Sequence, residues 1–301
     1  MRFSKGWNIP IVDTLQLSFE RIAKINGCQI TPGLTMEQAR LMTPGIKEAI
    51  KTWKVFEATE TSSKGNGIAF NDLVRVATAK GVEDKIAKIA EIAQHTTEFQ
   101  LDKQLDSMLS VYVLCKDLEK LKNCKGDEGR KRLSILRSAL PALELPEQIP
   151  NENLENWLQF LRGNWLEFLV AHCISNAIAT DEAKDTTIGV RSKNLDNGRE
   201  FEVDVVHMFR GHGYVLSCTT DPSFAKHKLF EISARSKHLF GRYARAALVV
   251  PAASAVIENL KKDLNKDWIG TQQQPSVFGK EDIAEWMNGN FQSLQEWLTA
   301  T

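Results

Sequence analysis

Apolar residues recur every three or four positions through most of the first half of the chain, which is the spacing of amphipathic helices. Residues 140–153 then interrupt this pattern with three prolines and almost no periodicity, as expected of a linker. The pattern therefore predicts a mostly helical domain over residues 1–150. Its predicted helices are residues 44–58, 71–81, 82–95 and 101–123.

The second half of the chain mixes helical spacing with short apolar runs that are typical of strands. The predicted order is a helix, three strands, a helix and a buried strand, which together form an α/β sandwich over residues 151–301. Two further helices follow, over residues 256–265 and 281–298. The sandwich elements are residues 153–179, 185–193, 199–210, 214–220, 223–241 and 245–250.

Composition limits the class of protein without identifying it. The chain has 301 residues, with 38 basic and 38 acidic side chains, so its formal net charge is zero and it is not a globally basic nucleic-acid binder. Charge can still be segregated locally, and four cations cluster near the end of the sandwich as a candidate nucleic-acid-binding surface. These cations are Arg235, Lys237, Arg242 and Arg245.

The five cysteines form no CxxC pair, which argues against a disulfide framework and against a structural zinc site. Cys218 with His207 or His212 as a base would be a nucleophile pair, but an apolar strand face is the simpler place for this cysteine. The sequence has no signal-peptide pattern and no run long enough to cross a membrane, so we expect a cytoplasmic protein without membrane contact.

Three acidic residues carry the candidate chemistry. Glu202 and Asp204 are two positions apart on a predicted strand and face the same side of it, and Glu167 lies on the preceding helix. Buried carboxylates need a partner, and a divalent cation such as Mg²⁺ or Mn²⁺ between them would remove the penalty. The alternatives are that Glu202 and Asp204 face water and that Glu167 has a structural role.

On the next strand, Ser217 and Thr219 share a face and bring no charge to it. The following helix offers Lys226, Lys228 and Glu231 within about two turns of the strand end, so a cation and an acid could reach the same place. The alternatives are that the hydroxyl residues are ordinary strand formers and that the helix presents a solvated, salt-bridged face.

Residues 160–250 resemble the C-terminal PD-(D/E)xK nuclease domain of a CRISPR-linked family in which a CARF domain, a sensor of cyclic oligoadenylate, precedes the nuclease. Three segments carry the resemblance, in the family's order and spacing. They are GNWLEFLV, NGREFEVDVVHMFRGHGYVLSCTTD and KLFEISARSKHLFGRYARAALVV.

The resemblance implies a restriction-endonuclease-like fold and Mg²⁺- or Mn²⁺-dependent cutting of DNA or RNA. By position, Glu167, Glu202 and Asp204 match the family's acids, and Arg245 matches the arginine before the last core strand. Ser217 stands where the family has an acid, and Thr219 stands where it has a lysine. The first 150 residues lack the alternating strands and helices of a CARF domain, so sensing of cyclic nucleotides does not carry over.

Two main hypotheses follow for the function. One is a nuclease of prokaryotic defence with weak or degenerate activity, in which Asp204 is the central metal ligand, Glu167 and Glu231 support it, and Lys226 or Lys228 orients the water. The other is an inactive nuclease fold that binds nucleic acid or a protein. A helical interaction protein is a third and less favoured reading. Residues 1–150 are the expected site for a protein partner, and a homodimer is possible for any of these hypotheses.

Overall fold

The computed structural model describes residues 19–62, 70–79, 81–94, 125–178, 186–241, 244–268 and 274–300. The chain divides into two compact units, one formed by Met42–Leu166 and the other by Met1–Leu41 together with Glu167–Thr301. The predicted helix over 101–123 and the predicted nucleic-acid-binding residue Arg242 lie outside the described residues.

Helices occur in both units. In chain order they are α1 (Met36–Leu41), α2 (Ile46–Ser62), α3 (Phe70–Thr78), α4 (Val82–Gln94), α5 (Lys125–Ala139), α6 (Asn151–Gln159), α7 (Trp165–Ala177), α8 (Ala225–Phe240), α9 (Ser254–Asp267), α10 (Lys280–Met287) and α11 (Gln292–Thr299). Residues 19–25 are helical as well. Pro141–Leu143 and Pro222–Phe224 are short 3-10 turns, and Phe160–Asn164 is a π turn between α6 and α7.

The seven strands found in the described ranges all belong to the unit formed by Met1–Leu41 and Glu167–Thr301. They are β1 (Cys28–Thr31), β2 (Leu34–Thr35), β3 (Thr186–Asn194), β4 (Glu200–Phe209), β5 (His212–Cys218), β6 (Arg245–Val249) and β7 (Ser276–Phe278). They form one mixed sheet in the order β1-β3-β4-β5-β6-β7, with β2 also paired to β3. This sheet confirms the predicted mixed α/β class and the predicted order of elements from α7 to β6.

Large aromatic side chains form the interior of the unit Met42–Leu166. Trp53 stacks on Phe56 with ring centroids 5.4 Å apart, and Phe56 in turn contacts Trp165 at 6.3 Å. Phe70 and Leu136 are fully buried as well. The helices described in this unit therefore bury their apolar faces against one another, as their spacing predicts.

The division of the chain differs from the sequence-based boundary near residue 150. Strands β1 and β2 lie far from the other strands in sequence, yet both pair antiparallel with β3, and this places them in the sheet unit. Their shortness explains why no strand was predicted there, because two to four residues give too little alternation to recognise. The predicted linker over 140–153 instead lies inside the helical unit.

Helix α8 packs on one face of the sheet. Val206 of β4 and Val215 of β5 belong to the same apolar cluster as Ile232 and Phe240 of α8. Gly213 of β5 makes the close approach possible, because a Cβ at this position would lie 2.3 Å from the Phe240 ring. The hairpin strands predicted from the sequence therefore have a helix directly against them.

Helix α7 covers the opposite face. The hydroxyl of Ser175 on this helix lies 3.2 Å from the hydroxyl of Thr186 on β3. The same Thr186 hydroxyl lies 3.0 Å from Nδ1 of His207 on β4. His207 is the neighbour of Val206, and adjacent strand residues point to opposite faces. The sheet is thus enclosed between α7 and α8, which brings residues of both helices close to the same strands. None of the helices in the described part of the chain is long and apolar enough to cross a membrane.

Candidate active site

Strands β4 and β5 separate at Asp204. They pair only from Val205 opposite Leu216 to Phe209 opposite His212, whereas β5 stays paired with β6 as far as Cys218. The Asp204 carboxylate reaches across this fork, where its Oδ2 accepts hydrogen bonds from the Cys218 backbone amide at 2.6 Å and from the Ser217 hydroxyl at 3.0 Å. The side chain is therefore held in place at the open end of the hairpin.

The alternation of β4 breaks at the same point. Val203 and Val206 are three positions apart, yet both belong to the α8-facing cluster, so the strand changes face between them. On β3, Gly189 stands at this level with a positive φ of 69°, a conformation that favours glycine. The register of β3 and β4 is unbroken across this glycine, since Ile188 pairs with Val205 and Val190 pairs with Val203. The sequence pattern did not single it out, although a lone glycine within a strand often marks a bulge, a bend or a close approach.

Glu167 lies in the first turn of α7, and the residue is half-buried. Burial raises the pKa of Glu167 well above its usual range, and the negative charges of Asp204 and Glu202 raise it further, while Lys228 lowers it. The anion of a half-buried carboxyl group near a second carboxylate is destabilised, and a cation between the two groups would relieve that cost.

The pKa of Asp204 is also raised, mainly by burial. The Cys218 amide, Lys228 and the Ser217 hydroxyl oppose that shift because each of them stabilises the anion, while the Glu202 charge adds to it. The charge of the Asp204 carboxyl group therefore acts on the Glu167 carboxyl group, and both groups have raised pKa values.

Glu202 lies at the rim of this site. Its side chain is exposed, its Oε2 lies 3.4 Å from Nε of Arg191, and its charge still influences Glu167 and Asp204. The geometry thus gives Glu202 a peripheral position and leaves Glu167 and Asp204 as the inner pair.

The two candidate lysines of α8 have different positions. Lys226 is exposed, and its Nζ lies 3.1 Å from Asp263 on α9. Lys228 is only 33% exposed and lowers the pKa of both Glu167 and Asp204, which shows that its charge lies near the inner pair. Of the two lysines, the structure brings Lys228 to the carboxylates.

Glu231 connects Lys228 to the rest of the helix. Its Oε2 lies 3.5 Å from Lys228 Nζ, and its Oε1 accepts a hydrogen bond from Arg235. Arg235 also donates from Nη1 to the backbone carbonyl of Glu202 at 2.6 Å. Glu231 is therefore engaged by two cations, and its described contacts do not include Ser217 or Asp204.

The two substituted motif positions have local partners. Ser217 is buried and donates its hydroxyl to Asp204. Thr219 lies beyond the end of β5, where its amide donates to Val249 and its hydroxyl lies 3.3 Å from both the amide and the carbonyl of Asp221. Ser217 thus shapes the site through Asp204, whereas Thr219 closes the following turn.

The predicted cationic surface is dispersed in the structure. Arg245 is buried and donates to the Trp297 carbonyl at 3.1 Å, while Arg235 is bound to Glu231 and Glu202 as described. Lys237 is exposed, and it alone among the three described cations is presented to solvent. Burial of an arginine requires good local acceptors, and those acceptors hold Arg245 in the interior rather than at a surface.

Cys218 does not have the properties of a nucleophile. Burial raises the pKa of its thiol well above the usual range, and the charges of Asp204 and Glu167 add to the shift. The thiol therefore stays neutral at neutral pH, whereas the thiolate is the form that reacts as a nucleophile. Its backbone amide, which no side-chain pattern could have indicated, is the part of Cys218 that contributes to the site.

The inner pair fits a divalent cation in charge and in donor type. Mg²⁺ and Mn²⁺ prefer oxygen ligands, and Mg²⁺ is commonly held by one or two carboxylates together with waters and substrate phosphates. Within the ranges that the structure describes, no group of three or more His, Cys, Asp or Glu side chains is arranged to hold a metal. A cation here would therefore have Glu167 and Asp204 as its protein ligands.

No protein-family model matches the chain, and a search of curated proteins finds no match either. Among solved structures, similarity is found to protein VC1899 from Vibrio cholerae, with 16% identity and a TM-score of 0.48, over 94% of this chain and 61% of that one. Can2 from Sulfobacillus thermosulfidooxidans in complex with cyclic tetra-adenylate is similar at 13% identity and a TM-score of 0.45, over 94% of this chain and 62% of that one.

The chain spans about three fifths of the length of these two solved chains. Both TM-scores lie below 0.5, and both identities are low.

Proposed function

We propose that this protein hydrolyses phosphodiester bonds in nucleic acid with Mg²⁺ or Mn²⁺, slowly, through a rebuilt PD-(D/E)xK-type site. The observation that carries the proposal is the inner pair, Glu167 and Asp204. The two residues are half-buried, the Asp204 charge raises the pKa of Glu167, and burial is the main cause of both raised pKa values. The resemblance of residues 160–250 to CRISPR-linked nuclease domains supports a role in prokaryotic defence.

Asp204 and Glu167 would hold the metal ion. When bound, the ion supplies activation of a water molecule and neutralisation of charge on the phosphate. The hydrogen bonds from Ser217 and Cys218 fix the Asp204 carboxylate, so that its Oδ1 remains available while Oδ2 is engaged. The hydrogen bonds to Oδ2 orient the carboxylate, and Oδ1 can then bind the metal ion.

Lys228 would replace the lysine that the family places where Thr219 stands. Its ammonium approaches the inner pair from α8, where it can stabilise negative charge on the reacting phosphate and orient the water. Glu231 and Arg235 act as positioning residues, because Arg235 is anchored to the Glu202 carbonyl and holds Glu231, which contacts Lys228.

Two features predict a low rate. Ser217 brings no negative charge to the position where the resembling nucleases carry an acid, so the site has one ligand fewer. Lys228 extends from a helix on a flexible stem, and holding that stem in one conformation costs rotamer entropy. Both features weaken the site without removing its central carboxylates.

The test is cleavage of labelled single- and double-stranded DNA and RNA by the purified chain in Mg²⁺, in Mn²⁺ and in EDTA. Slow cutting that needs the metal and disappears in Asp204→Asn supports the proposal. Glu200→Gln is a matched control, because Glu200 is exposed on the same strand and pairs with Lys193. Cutting that persists in Asp204→Asn, or in EDTA, would refute it.

An inactive binding module is the second candidate. The observation that favours it is the lack of a three-residue metal group in the described part of the chain. In this case the wild-type chain would bind nucleic acid or a protein with equal affinity in Mn²⁺ and in EDTA, and it would cut none of the four substrates. Asp204→Asn would then leave that affinity unchanged.

A further inference from the structure

An exposed aromatic side chain stands one helical turn before Lys228. Phe224 is 59% exposed and is one of two exposed phenylalanines in the part of the chain that the structure describes. It ends the 3-10 turn Pro222–Phe224, which leads directly into α8, and its own φ and ψ of −92° and −4° are close to helical. Residues four apart on a helix are neighbours, so Phe224 and Lys228 share one face of α8.

The turn before Phe224 is fixed by hydrogen bonds. Oδ1 of Asp221 accepts from the backbone amide of Ser223 at 3.0 Å and from its hydroxyl at 2.6 Å. The Phe224 amide donates to the Asp221 carbonyl at 3.2 Å, and Thr219 is joined to Asp221 in the same turn. A turn held in this way presents the Phe224 ring to solvent instead of letting it fold back on the sheet.

We propose that Phe224 is a stacking platform for an unpaired nucleobase next to the phosphate that the inner pair receives. Aromatic side chains bind single strands by stacking on bases, which a duplex keeps within its own stack. This inference rests on the proposed function and extends it: the substrate class is single-stranded nucleic acid, or a duplex end or loop with unpaired bases. His227 is also exposed and lies on the same helix as Lys228.

The same helix offers a matched control. Phe230 is 37% exposed and lies six positions after Phe224, so it points in a different direction around α8. A general effect of surface aromatic residues on nucleic-acid binding would affect both rings, whereas a stacking site beside Lys228 depends on Phe224 alone.

The experiment is fluorescence anisotropy with labelled single-stranded and double-stranded DNA and RNA, in EDTA so that no cutting occurs. We expect Phe224→Ala to weaken single-strand binding about tenfold or more, which is the range measured for loss of a base-stacking aromatic side chain. Phe224→Trp should retain binding, Phe230→Ala should bind as the wild type does, and duplex binding should change little in any variant. Comparison of the DNA and RNA arms shows which sugar is preferred.

Unchanged single-strand binding in Phe224→Ala overturns the proposal, and so does equal loss of single-strand and duplex binding. A change of oligomeric state in Phe224→Ala by size-exclusion chromatography, with nucleic-acid binding intact, would assign the ring to a protein interface instead. Phe224-dependent binding without any cutting by the wild type would refute the proposed hydrolysis and leave the stacking site standing.

Cutting by the wild type that Phe224→Ala does not affect would refute the stacking site and leave the proposed hydrolysis standing. No binding to any probe would refute both proposals.

Discussion

Asp204 Oδ2 accepts a hydrogen bond of 2.6 Å from the backbone amide of Cys218, at the point where β4 and β5 cease to pair. One carboxylate therefore has two tasks. It accepts a hydrogen bond from a backbone donor at the fork of the hairpin, which is a structural need, and its charge raises the pKa of Glu167, which is the chemical feature of the site. Substitutions at Asp204 can separate these two tasks because an amide keeps the acceptor and loses the charge.

We expect Asp204→Asn to abolish metal-dependent cutting while the free energy of unfolding stays near that of the wild type. Asp204→Ala should also abolish cutting and should lower the free energy of unfolding by about 1–3 kcal/mol, because the Cys218 amide then loses its acceptor. Urea unfolding of both variants measures the difference. Equal stability of the two variants would contradict the structural task of Asp204.

Glu167→Gln should stabilise the metal-free protein at neutral pH. The folded state raises the pKa of Glu167, so it holds the proton more tightly than the unfolded state does, and stability falls as the pH rises above the ordinary carboxyl value of about 4.3. The neutral amide removes that loss. Thermal unfolding in EDTA between pH 5 and pH 8 should show a flatter profile for the variant than for the wild type.

Mn²⁺ should raise the melting temperature of the wild type at neutral pH and should do so much less in Glu167→Gln, because the amide carries no charge to bind the ion. The same gain from Mn²⁺ in both proteins would show that Glu167 is not a ligand.

Lys228→Gln should slow metal-dependent cutting by about 100-fold, the lower end of the effect of a positioned catalytic group. Lys226→Gln is its control on the same helix, because Lys226 pairs with Asp263 and should be dispensable. Adding Thr219→Lys to Lys228→Gln should restore part of the rate, since a cation returns to the position where the resembling nucleases have a lysine. Equal rates for Lys228→Gln and Lys226→Gln would remove Lys228 from the mechanism.

The buried His207 side chain should lower the free energy of unfolding in acid. Burial lowers the pKa of His207 to about 4, so the folded state keeps the ring neutral while the unfolded state binds a proton below about 6.5. Stability should therefore fall as the pH drops from about 6.5 to about 4, by on the order of 3 kcal/mol from this group alone.

The check is the pH dependence of unfolding by urea for the wild type, for His207→Asn and for His227→Asn, which changes an exposed histidine. The slope between pH 6.5 and pH 4 should be smaller in His207→Asn alone. Identical slopes in all three proteins would show that His207 is not the group that titrates.

Local patterns in the sequence predicted the hairpin of the sheet unit and the helices on either side of it. Alternation over residues 199–210 and 214–220 predicted a hairpin that the structure forms as Glu200–Phe209 and His212–Cys218. Helical spacing after the hairpin predicted α8, and the acids Glu167 and Asp204 could be singled out by type and position. The predictions of the hairpin and of α8 succeed because hydrophobic spacing is a local property that the chain retains in any context. The choice of Glu167 and Asp204 as site residues stays a prediction.

The tertiary structure alone decided what those elements do together. The predicted helix over 281–298 is two helices, and β1 and β2 join the sheet through pairing with distant residues. Asp204 binds Cys218 because two strands diverge there, Lys228 rather than Lys226 reaches the inner pair, and Arg245 turns inward to Trp297. Strand pairing, helix rotation and burial depend on contacts between residues far apart in sequence, which no local pattern records.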